Sequence, residues 1–316
     1  MMERRSLTLR VRDTETLSPT LRRLVLESAV GDVLPAAAAG AHISLTLAGP
    51  GGSAIRNSYS LVSGHGAGDR YELIVRRVER SRGGSHYVHD HLAEGSIVET
   101  TVPHNLFPLL SHARKHLLIG GGIGITPLLS YLPALREAGA RLEFHQIAAE
   151  QDVGLFEALL APREGDDIHV HGGRHALDLE ALLSRQPLGT HVYTCGPAAL
   201  MDQVELLAAR LGWPAAHVHR ENFGAAGGAP FTLRLARSGR EIAVGADRTM
   251  LETLEAAGVP APSLCRGGAC GECLAHVVEG IAEHRDHFLT EEEKSSGKLV
   301  MPCVSRAVTD VLTLDL

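Results

Sequence analysis

The sequence is poor in several features, and each shortage excludes a class of protein. Its 316 residues contain only five cysteines, and four of these fall in one metal-ligand pattern, which leaves no framework of disulfides. Paired arginines near the first residue are not followed by an apolar segment, so we expect no secretory or twin-arginine signal and a cytoplasmic location. No internal repeat is visible, and no low-complexity tract occurs beyond a short alanine run at 36–39.

Long apolar segments and a basic excess are also lacking. One stretch of 19 residues, 117–135, carries no charge, but its four glycines and two prolines favour a buried strand, turn and helix over a membrane span. The 30 Lys and Arg residues are outnumbered by 37 Asp and Glu, which gives a net charge of −7. We therefore expect neither a membrane nor a nucleic acid as partner. With 44% hydrophobic residues, the chain can form the buried cores of a soluble globular protein.

Four cysteines near the C-terminus predict an iron–sulfur site. Cys265, Cys270, Cys273 and Cys303 follow the pattern C-x4-C-x2-C-x29-C, which is the ligand spacing of a plant-type [2Fe-2S] cluster. Glycines between them allow backbone N–H groups to turn toward sulfur. A four-cysteine zinc site and two disulfides are the alternatives. Structural zinc sites usually pair two short Cys-x2–4-Cys segments, however, and here the fourth cysteine stands alone.

The pattern of elements along the chain predicts three domains. Residues 7–102 form short alternating segments separated by turn-rich stretches, which is typical of a small antiparallel barrel. From His116 onward, apolar strands alternate with amphipathic helices, which indicates a parallel sheet covered by helices. After a glycine- and alanine-rich tether, a hairpin, one helix and a closing strand are expected. The predicted divisions are residues 1–108, 109–223, a linker at 224–230, and 231–316.

Two glycine-containing turns predict a nucleotide site in the parallel-sheet region. In the first, a strand passes into a helix, so that bare backbone and the helix N-terminus can approach a pyrophosphate. The residues of this turn are Gly121, Gly122, Gly124, Thr126 and Pro127. It is not the G-x-G-x-x-G fingerprint, and by itself it is equally compatible with an ordinary turn. The second turn, Cys195-Gly196-Pro197, ends the fourth predicted strand, at the edge where open α/β sheets bind ligands.

Two acidic residues after the second strand bear on which nucleotide is bound. Glu150 and Asp152 follow this strand, and no lysine or arginine occurs between Leu142 and Pro162. A carboxylate at this place suits a ribose diol and repels a 2′-phosphate, so the sequence favours NADH over NADPH. The alternative is that both acids are solvated residues at a helix start.

Two segments of the barrel region carry groups that suit a phosphate and a flat ring. Arg56, Ser58, Tyr59 and Ser60 lie on one predicted strand, where Tyr59 and Ser60 can flank a ring and hydrogen-bond its edge. Gly83, Gly84 and Ser85 open a short helical stretch and can present N–H groups and a hydroxyl to a terminal phosphate. Each segment is also compatible with an ordinary strand surface or turn.

Together these motifs resemble the phthalate dioxygenase reductase family, the class IA reductases of Rieske oxygenases, which includes vanillate demethylase reductases. The resemblance covers essentially the whole chain. It implies an antiparallel flavin-binding β-barrel, a ferredoxin-reductase-type parallel α/β nucleotide domain and a C-terminal β-grasp ferredoxin domain. In that family an Arg-x-Tyr-Ser strand and a Gly-Gly-Ser loop bind FMN, while a Gly-Gly-x-Gly-x-Thr-Pro turn and Cys-Gly-Pro bind NADH. FAD is less expected, because no extended adenine-binding loop follows Ser60.

The chain departs from the family pattern at one residue. Arg56 stands three residues before Tyr59, one more than the pattern has, and Ser58 lies between them. Arg76, on the neighbouring predicted strand, is the alternative group for the FMN phosphate.

The resemblance also implies an activity. The expected protein takes a hydride from NADH to FMN and passes single electrons through the [2Fe-2S] cluster to a Rieske-type terminal oxygenase. Thr126 and Cys195 are expected to border the nicotinamide, and Phe223 to reach toward the flavin or to plug a core. Two alternatives remain: a reductase for another acceptor, such as a haem oxygenase or a separate ferredoxin, and a zinc protein that binds a nucleotide without turnover.

Overall fold

The chain forms two compact units, 1–221 and 222–316. The computed structural model describes all residues except 1–5, 50–53, 63–65, 80–82, 174, 224–227, 247, 265, 269 and 287. Among the described residues, no helix is both long enough and apolar enough to cross a membrane.

The first unit begins with an antiparallel sheet that closes like a barrel. Its strands are β1 (Ser6–Ser18), β2 (Leu21–Ser28), β3 (Leu34–Ala37), β4 (Ala41–Ala48), β5 (Ala54–Ser60), β6 (Gly66–Gly68), β7 (Arg70–Arg76), β8 (Ile97–Thr101) and β9 (His104–Asn105). Six strands follow the order β5-β4-β8-β1-β2-β7, β9 pairs with β4, and β3 pairs with β6. A bridge between Leu61 and Leu73 joins the two ends of the sheet. One helix, α1 (Gly84–His91), follows β7.

The second part of this unit is a parallel sheet with helices. Its strands are β10 (Lys115–Gly121), β11 (Leu142–Ala148), β12 (Asp167–Gly172), β13 (Thr190–Cys195) and β14 (Val218–Glu221), in the order β12-β11-β10-β13-β14. Its helices are α2 (Ile125–Leu129), α3 (Tyr131–Glu137), α4 (Val153–Leu160), α5 (Leu179–Ser184) and α6 (Ala198–Arg210), with short 3-10 turns at Gly122–Gly124, Glu150–Asp152 and Ala215–His217. Apolar side chains of β10 and β13 pack against α5 and α6 in one core.

The second unit has the topology of a β-grasp. Its main strands are β15 (Phe231–Leu235), β16 (Glu241–Val244), β17 (Ala275–Glu279), β19 (Leu299–Val300) and β21 (Val311–Leu314), in the order β16-β15-β21-β17-β19. A separate pair is formed by β18 (Ala282–Glu283) and β20 (Arg306–Ala307), and the helices are α7 (Met250–Ala256) and α8 (Glu291–Ser295). Strand β15 pairs antiparallel with β16 and parallel with the closing strand β21. Together with the antiparallel barrel and the parallel α/β sheet of the first unit, this β-grasp confirms the predicted fold class.

The predicted linker falls at the start of the second unit. Residues 224–227 lie outside the described part of the chain. At its other end, the buried Arg306 guanidinium donates hydrogen bonds to the carbonyl oxygens of Ala229 and Gly245, at 2.9 and 3.0 Å. The last residues of this segment are therefore attached to the β-grasp unit.

Candidate functional site

The two predicted nucleotide-binding turns lie together at one edge of the parallel sheet. Strands β10 and β13 are adjacent and parallel, with Gly120 opposite Cys195, so their carboxyl ends meet. A Cβ built on Gly124 would lie 2.1 Å from the Cys195 carbonyl oxygen, and one built on Gly121 would lie 2.7 Å from Pro197 Cδ. Only glycine permits this approach. Together the two turns form a cradle of bare backbone, which fits the pyrophosphate of a dinucleotide.

Gln146 of β11, which the sequence analysis did not single out, supports the first turn of this cradle. Its side chain on β11 is fully buried, and its Nε2 donates a hydrogen bond to the carbonyl oxygen of Gly122 at 3.0 Å. A Cβ on Gly120 would lie 2.2 Å from Gln146 Oε1. No local sequence signal marks this glutamine, because its role depends on the register between β10 and β11.

Thr126 and Cys195 belong to the two turns of the cradle and have little exposed surface. The Thr126 hydroxyl donates to the carbonyl oxygen of Ile123 at 3.0 Å, and its side chain is 2% exposed. Cys195 is fully buried, and burial raises the pKa of its thiol well above the usual range. Cys195 is therefore a neutral thiol at physiological pH. The expected contacts of both residues with a nicotinamide stay predictions.

Glu150 and Asp152, which are predicted to favour NADH over NADPH, lie at the same edge of the sheet. Glu150 and Asp152 form a 3-10 turn directly after β11, the strand next to β10. Glu150 is exposed, and its Cγ would lie 3.5 Å from a Cβ built on Gly172, at the end of β12. A carboxylate at the carboxyl end of the second strand is available to a ribose hydroxyl.

The candidate flavin residues of β5 divide between two faces of the strand. Ile55 and Tyr59 pack against the barrel core, and the Asn57 Nδ2 donates to the Tyr59 hydroxyl at 3.3 Å. Since side chains alternate along a strand, Arg56 and Ser58 lie on the other face. The Ser58 Oγ is 2.8 Å from the Ser44 Oγ on β4. Arg56 therefore does not share a face with Tyr59, and Asn57 does.

Gly83, Gly84 and Ser85 open helix α1 beside Asn57. Gly83 has a φ of +108° as the N-terminal cap, and a Cβ on Gly84 would lie 2.2 Å from Asn57 Nδ2. The Ser85 Oγ accepts a hydrogen bond from the backbone N–H of Val78 at 3.2 Å. Glycine at both positions lets the start of α1 meet β5, which fits a site for a terminal phosphate.

Arg76 lies near the first glycine turn of the cradle. It is exposed at the end of β7, and its guanidinium NH1 would lie 3.9 Å from a Cβ built on Gly122. Arg76 therefore lies beside the first glycine turn of the nucleotide cradle. Its contact with the FMN phosphate stays a prediction.

Three of the four predicted cluster ligands lie in the described part of the second unit. Cys273 and Cys303 are buried and Cys270 is half-buried, whereas Cys265 lies outside the described residues. The loop between them has positive φ at Gly268 and Gly271, and also at Arg266, whose φ is +53°. Arg266 pairs with Glu255 of α7. Left-handed backbone of this kind turns N–H groups toward the sulfur ligands of a cluster.

The described residues include no group of three His, Cys, Asp or Glu side chains that could hold a single metal ion. A [2Fe-2S] cluster does not need such a group, because four cysteines share two irons. Phe223 is 50% exposed and belongs to the second unit. Its contact with a flavin stays a prediction.

Known proteins resemble this chain in both sequence and structure. Residues 233–308 match the protein family described as a 2Fe-2S iron-sulfur cluster binding domain. The "Heme-dependent oxidative N-demethylase beta subunit" of Ectopseudomonas mendocina (strain ymp) is 43% identical over 98% of this chain and 99% of its own. The carnitine monooxygenase reductase subunit of Escherichia coli (strain K12) is 38% identical over 98% of both chains. The solved structure of phthalate dioxygenase reductase, a modular structure for electron transfer from pyridine nucleotides to [2Fe-2S], matches with a TM-score of 0.77 and 37% identity over 98% of both chains.

Proposed function

Because the chain belongs to the phthalate dioxygenase reductase family, we propose that it is the NADH-dependent reductase component of a two-component oxygenase of the Rieske type. It is a flavin and iron–sulfur oxidoreductase, with FMN, a [2Fe-2S] cluster and a pyridine nucleotide as cofactors. One observation carries the proposal: the same chain contains the cluster-binding β-grasp and the cradle in which Gly124 lies against Cys195.

When bound, FMN would supply the conversion between a two-electron hydride and the single electrons that a cluster of this kind accepts. The chain itself binds and orients the reactants. The backbone of Gly121 to Gly124 is suited to hold the NADH pyrophosphate. Thr126 and Cys195, both buried, would keep water away from its nicotinamide end. Tyr59 and the start of α1 are the groups proposed for the flavin ring and its phosphate.

The preference for NADH and the domain limits are parts of the same proposal. Exposed Glu150, at the end of the second parallel strand, supports NADH because its charge repels a 2′-phosphate. The domain limits at 108, 223 and 230 and the cytoplasmic location are proposed from the sequence patterns described above.

A haem-dependent oxygenase is a second candidate for the partner. The 43% identity to a heme-dependent oxidative N-demethylase beta subunit, over nearly the full length of both chains, favours it. This candidate leaves the path from nucleotide to cluster unchanged and replaces only the acceptor.

The test begins with an anaerobic visible spectrum before and after one equivalent of NADH, with iron, zinc and released flavin measured on the same sample. About two irons and one FMN per chain, with bands that bleach on NADH, are expected. A colourless protein, a zinc-loaded one, or bands unchanged by NADH would overturn the proposed path.

The partner is then tested by mixing the reduced protein with a purified Rieske oxygenase and with a purified haem-dependent N-demethylase. Faster reoxidation of the reductase by the Rieske protein supports the proposal, and faster reoxidation by the haem protein supports the second candidate.

A further inference from the structure

A buried carboxylate lies against the cluster loop and is not one of the predicted ligands. Asp286 is 3% exposed. A Cβ built on Gly268, in the loop before Cys270, would lie 3.1 Å from Asp286 Cα and 2.6 Å from Val304 Cγ2. Since Val304 follows Cys303 directly, Asp286 lies where two ligand-bearing segments meet.

Both carboxylate oxygens of Asp286 accept hydrogen bonds from these surroundings. Oδ2 accepts from the backbone N–H of Leu289 at 2.9 Å, and Oδ1 accepts from the Ser305 hydroxyl at 3.3 Å. Ser305 is itself fully buried and lies two residues after Cys303. The carboxylate therefore connects the segment that follows the fourth cysteine to the segment before α8.

No strong cation neutralises this carboxylate within the described part of the chain. Among the basic side chains described there, His284 is the one near Asp286: its Nδ1 is 3.6 Å from Oδ1, and the imidazole carries a charge only when protonated. The neighbouring Arg285 pairs instead with Glu283, at 2.8 Å. A buried charge without a close cation acts over a longer distance than an exposed one, because little water screens it.

From this arrangement we infer that Asp286 lowers the reduction potential of the [2Fe-2S] cluster and fixes the two segments that carry its ligands. An added electron makes the cluster more negative, and a fixed negative charge beside its loop opposes that addition. The reduced cluster is then a stronger electron donor. The inference rests on the proposed function only in requiring that the chain binds this cluster.

Asp286→Asn tests the inference, because it removes the charge and changes the size of the side chain little. We expect the variant to keep its iron and to have a more positive cluster potential than the parent. The potential is measured by anaerobic titration with dithionite and redox mediators, with the reduced cluster followed by electron paramagnetic resonance. This readout needs neither NADH nor an oxygenase.

The matched control is Asp315→Asn, which removes the same charge from a partly exposed side chain of the same unit. Asp315 pairs with Arg237 at 2.9 Å, and its side chain is 44% exposed. We expect the control to keep the parental potential. A parental potential in Asp286→Asn, or an equal shift in both variants, would overturn the inference.

Ser305→Ala provides a second variant in case Asp286→Asn loses its iron. It removes a hydroxyl donor whose positive end offsets part of the Asp286 charge and keeps Asp286 itself, so the potential should become more negative than the parental one. A positive shift, or none, would contradict the inference. A parent protein without iron would instead refute the proposed function, so the two failures are distinguishable.

Discussion

Gly124 has no room for a side chain. A Cβ there would meet the carbonyl oxygen of Cys195 at 2.1 Å and the backbone nitrogen of Gly196 at 2.6 Å, and neither group can move without displacing the end of β13. We expect Gly124→Ala to lower the unfolding free energy by about 1–3 kcal/mol. We also expect it to raise the dissociation constant for NADH. Urea unfolding and NADH titration of the purified protein measure the two effects.

Gly154→Ala is the matched control for that substitution. Gly154 lies within α4, and nothing lies within 4 Å of a Cβ built on it. Alanine should therefore be neutral there or stabilise the helix by up to about 1 kcal/mol. If the two variants had the same unfolding free energy and the same dissociation constant for NADH, the close approach of the two turns would not be required.

Asn57 is expected to affect FMN binding more than Arg56 does. Its amide faces Tyr59 and the start of α1, whereas Arg56 lies on the other face of β5. Asn57→Asp places a negative charge where the FMN phosphate is proposed to bind. We expect its FMN dissociation constant to rise at least about tenfold, which is about 1.4 kcal/mol. Quenching of FMN fluorescence by the apoprotein measures this constant.

Arg56→Gln is the comparison variant and should weaken FMN binding less. A larger loss in Arg56→Gln than in Asn57→Asp would make Arg56 the phosphate ligand despite its orientation. The sequence pattern could not decide this point. The alternation of side chains along a strand shows which residues share a face only when the register of that strand is known. The motif alone predicted that the arginine binds the phosphate.

Other residues of the site show the same limit of sequence reasoning. The glycine turn and Cys195-Gly196-Pro197 were predicted because short motifs identify residues at strand ends. Gln146 and Asp286 were not, because their importance comes from contacts between segments distant in the chain. Burial of a polar side chain is a property of the folded structure, and no local sequence pattern predicts it.

At the scale of elements, a histidine stack across β13 and β14 makes the parallel sheet sensitive to acid. His191 Nδ1 is 3.0 Å from His219 Nε2, and the His217 ring stacks on His191 at 4.1 Å. Burial, reinforced by the neighbouring histidines, lowers the pKa of His191 and of His219 to about 4. Between pH 6.5 and 4 the unfolded chain binds protons that the folded chain does not. The unfolding free energy should therefore fall as the pH falls through this range.

Urea unfolding at pH 7.5 and at pH 5.0 measures this acid sensitivity. His219→Gln should reduce the difference between the two pH values, because glutamine does not titrate. His175→Gln, at an exposed position, should leave the difference unchanged. Equal pH dependence in the parent and in His219→Gln would show that the stack does not control acid stability.

The elements themselves differed in how far the sequence predicted them. Segments with regular apolar spacing, such as β2 and α6, lie in the regions where the sequence predicts strands and amphipathic helices. The fifth parallel strand, β14, was missed: its four residues are half-buried and have no apolar run. Strands of two residues, such as β18 and β20, form only because the chain between Ala282 and Ala307 folds back on itself.

At the scale of the whole molecule, each of the two units has apolar cores of its own. Three clusters of buried apolar side chains lie in the barrel and the parallel sheet, and two lie in the β-grasp. Each of these clusters contains residues of one unit only. Damage to the cluster-binding loop should therefore leave the first unit folded. A substitution in the cluster-binding loop can therefore interrupt electron transfer through the cluster and preserve the reduction of the flavin by NADH.

Cys270→Ser is the substitution that interrupts it. We expect the variant to lose the cluster, which is about two irons per chain, and to transfer electrons to an oxygenase only at background rates. NADH should still reduce the flavin, and ferricyanide, a small acceptor that reaches the flavin directly, should still be reduced. Stopped-flow spectra and iron analysis measure these steps separately. The control is Cys195→Ser, which changes a cysteine of the first unit and should keep its iron. If Cys270→Ser reduced the oxygenase at the parental rate, electrons would not pass through the cluster.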